Sequence, residues 1–272
     1  MKSVKIILLS ACLCSAVPVA AQVPGLPAAH DNLLLKAPVT TWDEAIPLGN
    51  GLMGGLLWGE NNTIRLSLDR GDLWDERTSG EKEWWKKYTY QKAAAMVLQQ
   101  KYDTVNRWWD KPYNGVSPTK LPAGRLEIKL PADQVVKTFE LKLATAEGFA
   151  YFKSGASVKV LYSANEPVAL LSVEGTTPSA IDLLSTSDVY HKKKAGNNGP
   201  SSGGSVSDLG YPEAVKGEKG NAKWYIQEAA AGLKYCVYAE TKTVGKATLM
   251  AFTITSTNDA ADFLSLARER CA

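Results

Sequence analysis

The chain has 272 residues, 45 % of them hydrophobic and 22 % charged, with a formal net charge of +3. That balance excludes a disordered or fibrous chain and leaves one large folded domain or two small ones. Lys and Arg are interspersed with Asp and Glu, so no basic stripe suited to nucleic acid forms, and Lys192-Lys193-Lys194 reads as a solvated loop.

Residues 1–21 read as a signal peptide. Lys2 and Lys5 give a positive start, Ile6 to Val19 an apolar stretch, and Val19-Ala20-Ala21 a small-residue cleavage site before Gln22. The expected location is therefore periplasmic or extracellular. A lipoprotein anchor at Cys12, after Leu9-Ser10-Ala11, is the alternative; the apolar run continuing past Cys12 favours cleavage. No later apolar run approaches the roughly 20 residues needed to span a bilayer.

Residues 22–32 form a Pro/Gly/Ala-rich flexible lead-in, and residues 33–272 are read as one β-sandwich domain. Leu52 to Trp58 follows a Gly-Asn-Gly turn. Glu60-Asn61-Asn62 then turns the chain into the alternating run Ile64-Arg65-Leu66-Ser67-Leu68. Gly54-Gly55 predicts a close backbone approach or a bulge. Glu81 to Trp109 changes period, with Ala93, Met96 and Val97 at helical spacing, and a second short helix is predicted over Asp103 to Asp110. We expect this helical insertion to pack on the sheets.

From Leu121 strands recur about every ten residues, the pattern of a sandwich rather than a parallel sheet. Asn197 to Gly220 reads as one long surface loop. Asp259 to Arg270 predicts an amphipathic C-terminal helix capped by Asn258 or Asp259, with Phe263, Leu264, Leu266 and Ala267 on its apolar side. It stops at Cys271-Ala272 without a capping glycine, which reads as a fragment of a longer chain. Of the mature cysteines, Cys236 fits a buried strand position and Cys271 an exposed one. The fold class is thus mainly β, a large two-layer antiparallel sandwich with a helical insertion and a C-terminal helix.

Little catalytic chemistry is present. Two histidines, His30 and His191, and two mature cysteines give no metal-ligand pattern, and no cofactor motif occurs. Asp69, Asp72, Asp75 and Glu76 cluster around Trp74, but carboxylates after a strand more commonly make turns and caps than a glycosidase pair. The aromatics say more. Eight tryptophans include Trp84-Trp85 and Trp108-Trp109. Neighbours on a helix point about 100° apart, so at most one of each doublet faces a core squarely. Stacking of sugar C–H faces on exposed indoles is the functional reading; core packing is the bland one. The candidate substrate contacts are Trp74, Trp84, Trp85, Trp108, Trp109, Asn50 and Asp72, with no catalytic and no metal residue.

The run Thr41-Trp42-Asp43-Glu44-Ala45-Ile46-Pro47-Leu48-Gly49-Asn50-Gly51-Leu52-Met53-Gly54-Gly55-Leu56 resembles the opening of the N-terminal domain of glycoside hydrolase family 95. That is the α-L-fucosidase and α-L-galactosidase family, whose domain is related to that of family 65. Leu68-Asp69-Arg70-Gly71-Asp72-Leu73-Trp74 stands where the family has a segment like N-E-D-T-L-W and departs from it in the first four positions. Phe139 to Ala146 is similar to the family's L-D-L-x-T-A strand. The resemblance implies a large antiparallel sandwich preceding an (α/α) barrel that carries the catalytic carboxylate and works by inversion. It implies a carbohydrate partner, plant or host glycans, and places no catalytic residue in this chain. A free-standing carbohydrate-binding or structural sandwich is the alternative, and a small hydrolase using Asp69 and Asp72 a third.

Overall fold

The computed structural model describes residues 25–77, 89–109, 119–189 and 209–272. Residues 1–24, Trp84, Trp85, His191 and Lys192-Lys193-Lys194 lie outside them, as does the side chain of Trp109.

The larger sheet has nine antiparallel strands. Their order is β1 (Leu33–Lys36), β8 (Val136–Lys142), β9 (Glu147–Phe152), β10 (Ser157–Tyr162), β11 (Ala169–Glu174), β16 (Ala247–Ser256), β15 (Lys234–Val244), β14 (Ala222–Glu228) and β13 (Val215–Lys219). The smaller has five, in the order β12 (Ala180–Leu184), β7 (Arg125–Lys129), β4 (Thr63–Arg70), β3 (Met53–Glu60) and β2 (Ile46–Gly49). A separate ribbon pairs β5 (Trp74–Asp75) with β6 (Thr119–Lys120).

Alternation sets the layers. In β4, Ile64, Leu66 and Leu68 are buried while Thr63, Arg65 and Ser67 are half-exposed, the mark of a strand with one face in a core. Val158, Val160 and Tyr162 in β10 and Tyr235, Val237 and Ala239 in β15 complete that core from the other sheet. At Gly55 the two sheets approach closely. A Cβ there would collide with the Tyr162 hydroxyl and lie 2.9 Å from the Ser67 carbonyl oxygen.

The two ends of the sandwich differ. At one, short turns such as Asn61-Asn62, 153–156, 220–221 and 245–246 close hairpins. At the other sit the turns 50–52, 71–73, 163–168 and 257–262, and the strand ends from which the long connections β5–β6 and β12–β13 depart. We call the second the loop end.

Helices are accessory. The predicted insertion contains α1 (Tyr90–Leu98) and α2 (Tyr102–Trp109). Among the described residues it does not pack extensively on the sheets as expected: no residue of α1 is buried, and its main neighbour is α2. The reason lies in composition, since three alanines and exposed Tyr90 and Leu98 offer no continuous large apolar stripe. After β12 comes the single turn α3 (Thr186–Val189).

The C-terminal helix α4 (Phe263–Cys271) starts four residues later than predicted, capped by Asp262, whose carboxylate accepts from the Ser265 N–H at 3.0 Å. Asp259 is diverted to another task, described below. Phe263 and Ala267 bury against Cys236, Tyr238 and Ala222 on the outer face of β14 and β15. Cys271, expected to be exposed, is half-buried in the same cluster. Among the described residues no helix is long and apolar enough to cross a membrane.

Candidate functional site

At the loop end the chain first makes the Asn50 turn. Asn50 Oδ1 accepts from the N–H groups of Leu52 and Met53, at 3.2 and 2.9 Å. Its Nδ2 donates to the carbonyls of Ser163 and Glu166, at 2.8 and 3.2 Å. The amide thus ties the β2–β3 turn to the β10–β11 turn of the opposite sheet, and every strong hydrogen-bonding position on it is engaged. Gly51 has φ +92°, a conformation that L side chains resist.

The next turn packs on this one, with the Gly71 N–H donating to the Leu52 carbonyl at 2.7 Å. Its anchor is Arg70. Alternation along β4 points that side chain inward, and it is only 2 % exposed. Nε and Nη2 donate to Asp72 at 2.7 and 2.9 Å; Nη1 and Nη2 donate to Asp259 at 2.6 and 3.0 Å. Nη1 also reaches the Ile254 carbonyl at 2.7 Å, so all five N–H donors are satisfied. Asp259 in turn accepts from the Ser256 N–H. One guanidinium therefore binds the β4–β5 turn to the segment that leads into α4.

The charges respond accordingly. Burial works against ionised Arg70, yet its bonds to Asp72 and Asp259 outweigh it and hold the group above the ordinary arginine range. Hydrogen bonds from Arg70 hold the Asp72 carboxyl below the usual range. In Asp259 burial pushes upward but is outweighed by Arg70 and the Ser256 N–H, so that carboxyl is lowered too.

Trp74 stands on this support. Its indole is 47 % exposed, with Nε1 donating to the Gly71 carbonyl at 3.0 Å. With that N–H engaged, the ring offers a flat apolar face. Across the ribbon it pairs with Lys120, whose ammonium binds Asp69 and the Arg70 carbonyl. Asp75, fully buried, is held by Arg77 at 2.7 Å and by the Tyr211 hydroxyl, while Arg77 reaches the Leu209 carbonyl at 2.8 Å. Burial and the bond to Asp75 push the Tyr211 phenol up to about 12.

Each of Asp69, Asp72 and Asp75 therefore has a cationic partner. Asp72 and Asp75 are shifted opposite to the raised pKa of a glycosidase general acid. Among the described residues no group of His, Cys, Asp and Glu could hold a metal ion. The arrangement provides an immobilised stacking face with carboxylate oxygens in the supporting turn.

The structure thus brings together Asn50, Asp72 and Trp74. Trp108 lies half-buried in α2, within the excursion that leaves from the same ribbon. Sequence reasoning missed Arg70 and Asp259. An arginine in the inward register of Ile64, Leu66 and Leu68 was a signal for a buried, paired cation; nothing in the local sequence marked Asp259 as its partner. It also missed Trp58, buried between Arg65 and Arg125 on the outer face of the small sheet, with Nε1 donating to Ser67 at 3.0 Å.

Two of the three stretches that carry the sequence resemblance, Thr41–Leu56 and Leu68–Trp74, meet at this end. The family model for the glycosyl hydrolase family 65 N-terminal domain matches residues 33–208. The chain belongs to that family. No curated protein in the comparison matches it. Membership in the family 65 N-terminal domain makes this a glycoside hydrolase-related, non-catalytic β-sandwich.

Proposed function

We propose that the chain is the N-terminal sandwich of an exported glycoside hydrolase of the family 95 kind, with the loop end facing both a catalytic (α/α) barrel and the carbohydrate substrate. The observation that carries this is the meeting of the Pro-Leu-Gly-Asn-Gly turn and the Asp69–Trp74 stretch beneath an exposed, immobilised indole. Trp74 supplies the stacking face and Asp72 a hydroxyl acceptor, while Asn50 holds the turn beneath them. Trp84, Trp85, Trp108 and Trp109 belong to the excursion that starts at this ribbon, and the proposal assigns them to the same saccharide surface. Export is supported by the charged-then-apolar start and small-residue cleavage site of residues 1–21.

Titrating oligosaccharides with terminal fucose or galactose against tryptophan fluorescence tests the binding half. Trp74→Ala should abolish the response without lowering the melting temperature; a variant that binds as well as the parent sinks the assignment. A reading frame that continues past the codon for Ala272 into helical hairpins supports the barrel. A stop codon there with binding retained favours the free-standing module.

A further inference from the structure

At the opposite end the two sheets part company. β15 and β16 have 11 and 10 residues, whereas β7 and β12 facing them have 5 each. The inward positions of β15 change character where cover ends, from Tyr235, Val237 and Ala239, all buried, to Thr241 and Thr243, which are not. A cleft of about 390 Å³ opens there, within the range of small-ligand sites.

Its chemistry is specific. Leu126, Ile181, Leu183, Ala239 and Met250 supply an aliphatic floor. Thr177, Thr241, Thr243 and Thr248 ring it with hydroxyls; Thr243 and Thr248 are cross-strand partners, as are Thr241 and Met250. Lys223 and Lys242 line it and no carboxylate does. Lys223, opposite Ala239 on the inward face, bridges the two sheets by donating one N–H to the Ile181 carbonyl at 2.9 Å. Two of its three donors remain. Glu218, directly across from Lys223, makes no ion pair with it; with Asp182 it lines the neighbouring groove, which Lys223 borders from its other side.

The geometry points to a second saccharide site here, for an acidic sugar residue such as a hexuronate. The aliphatic floor takes the C–H face, the threonines the ring hydroxyls, and Lys223 the carboxylate. A neutral apolar ligand would leave the hydroxyl ring and the ammonium unused, and a cation would meet the Lys223 ammonium. The site is independent of Trp74, at the other end of the sandwich.

Binding of a galacturonate disaccharide and of its neutral methyl ester, followed by calorimetry on the intact chain, tests the inference. The acid should bind more tightly than the ester. Lys223→Gln should weaken the acid by about tenfold, the loss of one charge-assisted hydrogen bond, and leave the ester unchanged. Thr243→Trp, at an exposed position that leaves the fold intact, should block both ligands, while Trp74→Ala should block neither. No binding, equal binding of acid and ester, or a preference that survives Lys223→Gln overturns the inference. Loss of uronate binding in Trp74→Ala also overturns it, because the ligand would then occupy the loop end and the reading of Trp74 would stand.

Discussion

A single buried cation decides how the loop end behaves. Because Arg70 is enclosed with both aspartates, removing one partner leaves charge without compensation, and Asp259→Ala should cost about 3–5 kcal/mol in urea unfolding. A loss below about 1 kcal/mol would mean that the clamp is idle. The acid limb of stability follows from the same group. Asp72 and Asp259 titrate below their unfolded value near 3.9, so their contribution is complete above that pH and is lost as pH falls through the folded pKa. Melting temperature should accordingly fall on acidification below about pH 4, and less steeply in Asp259→Asn. Gly51→Val is expected to cost about 1–3 kcal/mol, since no neighbour crowds the site and the penalty is purely the left-handed backbone; an unchanged melting temperature would contradict it. Arg70 could be foreseen as inward from its register, and Gly51 as a turn residue from its place in Gly-Asn-Gly. The Asp259 contact could not, for it joins residues 189 positions apart and depends on how the sheets stack.

Most strands and hairpins were readable because alternation and turn residues act locally; β13 was not, since Val215–Lys219 lies inside the stretch read as one long loop and pairs with β14. Asn61-Asn62 turns β3 into β4 as its composition predicts. The start of α4 was misread for the opposite reason: Asp259 and Asp262 are equivalent as local caps, and only the Arg70 contact removes Asp259 from the helix. The fate of the insertion was likewise beyond local pattern, since helical spacing in Ala93, Met96 and Val97 does not say whether anything lies beneath. Replacing residues 89–109 with a short linker, which leaves Arg77 in place on buried Asp75, should therefore leave the unfolding midpoint close to the parent's, because no residue of α1 is buried. A large loss would show that the insertion contributes to the core. Between α4 and β15, burial pushes the thiols of Cys236 and Cys271 up to about 12. Both should resist iodoacetamide at pH 8 and react once denaturant releases the helix; rapid labelling of Cys236 in the folded chain would refute this packing.

Across the whole molecule, unequal sheets and unequal ends set apart two candidate sites of different character. The loop end gathers long connections, the family signature and a stacking ring; the hairpin end, with its strands of unequal length, leaves an open cleft. The site at the loop end was partly visible in the sequence because both its motifs are contiguous, whereas the cleft arises from strands that differ in length and had no motif to announce it. The Arg70 clamp has a mechanical consequence as well. It fastens the segment before α4 to the central strand of the small sheet, while Phe263 and Ala267 lay the helix on the large one, so α4 is braced against both layers. Torque applied at α4 is transmitted to the body of the sandwich instead of being absorbed at a hinge, and spin labels on α4 and β4 should report one narrow distance that broadens in Asp259→Ala.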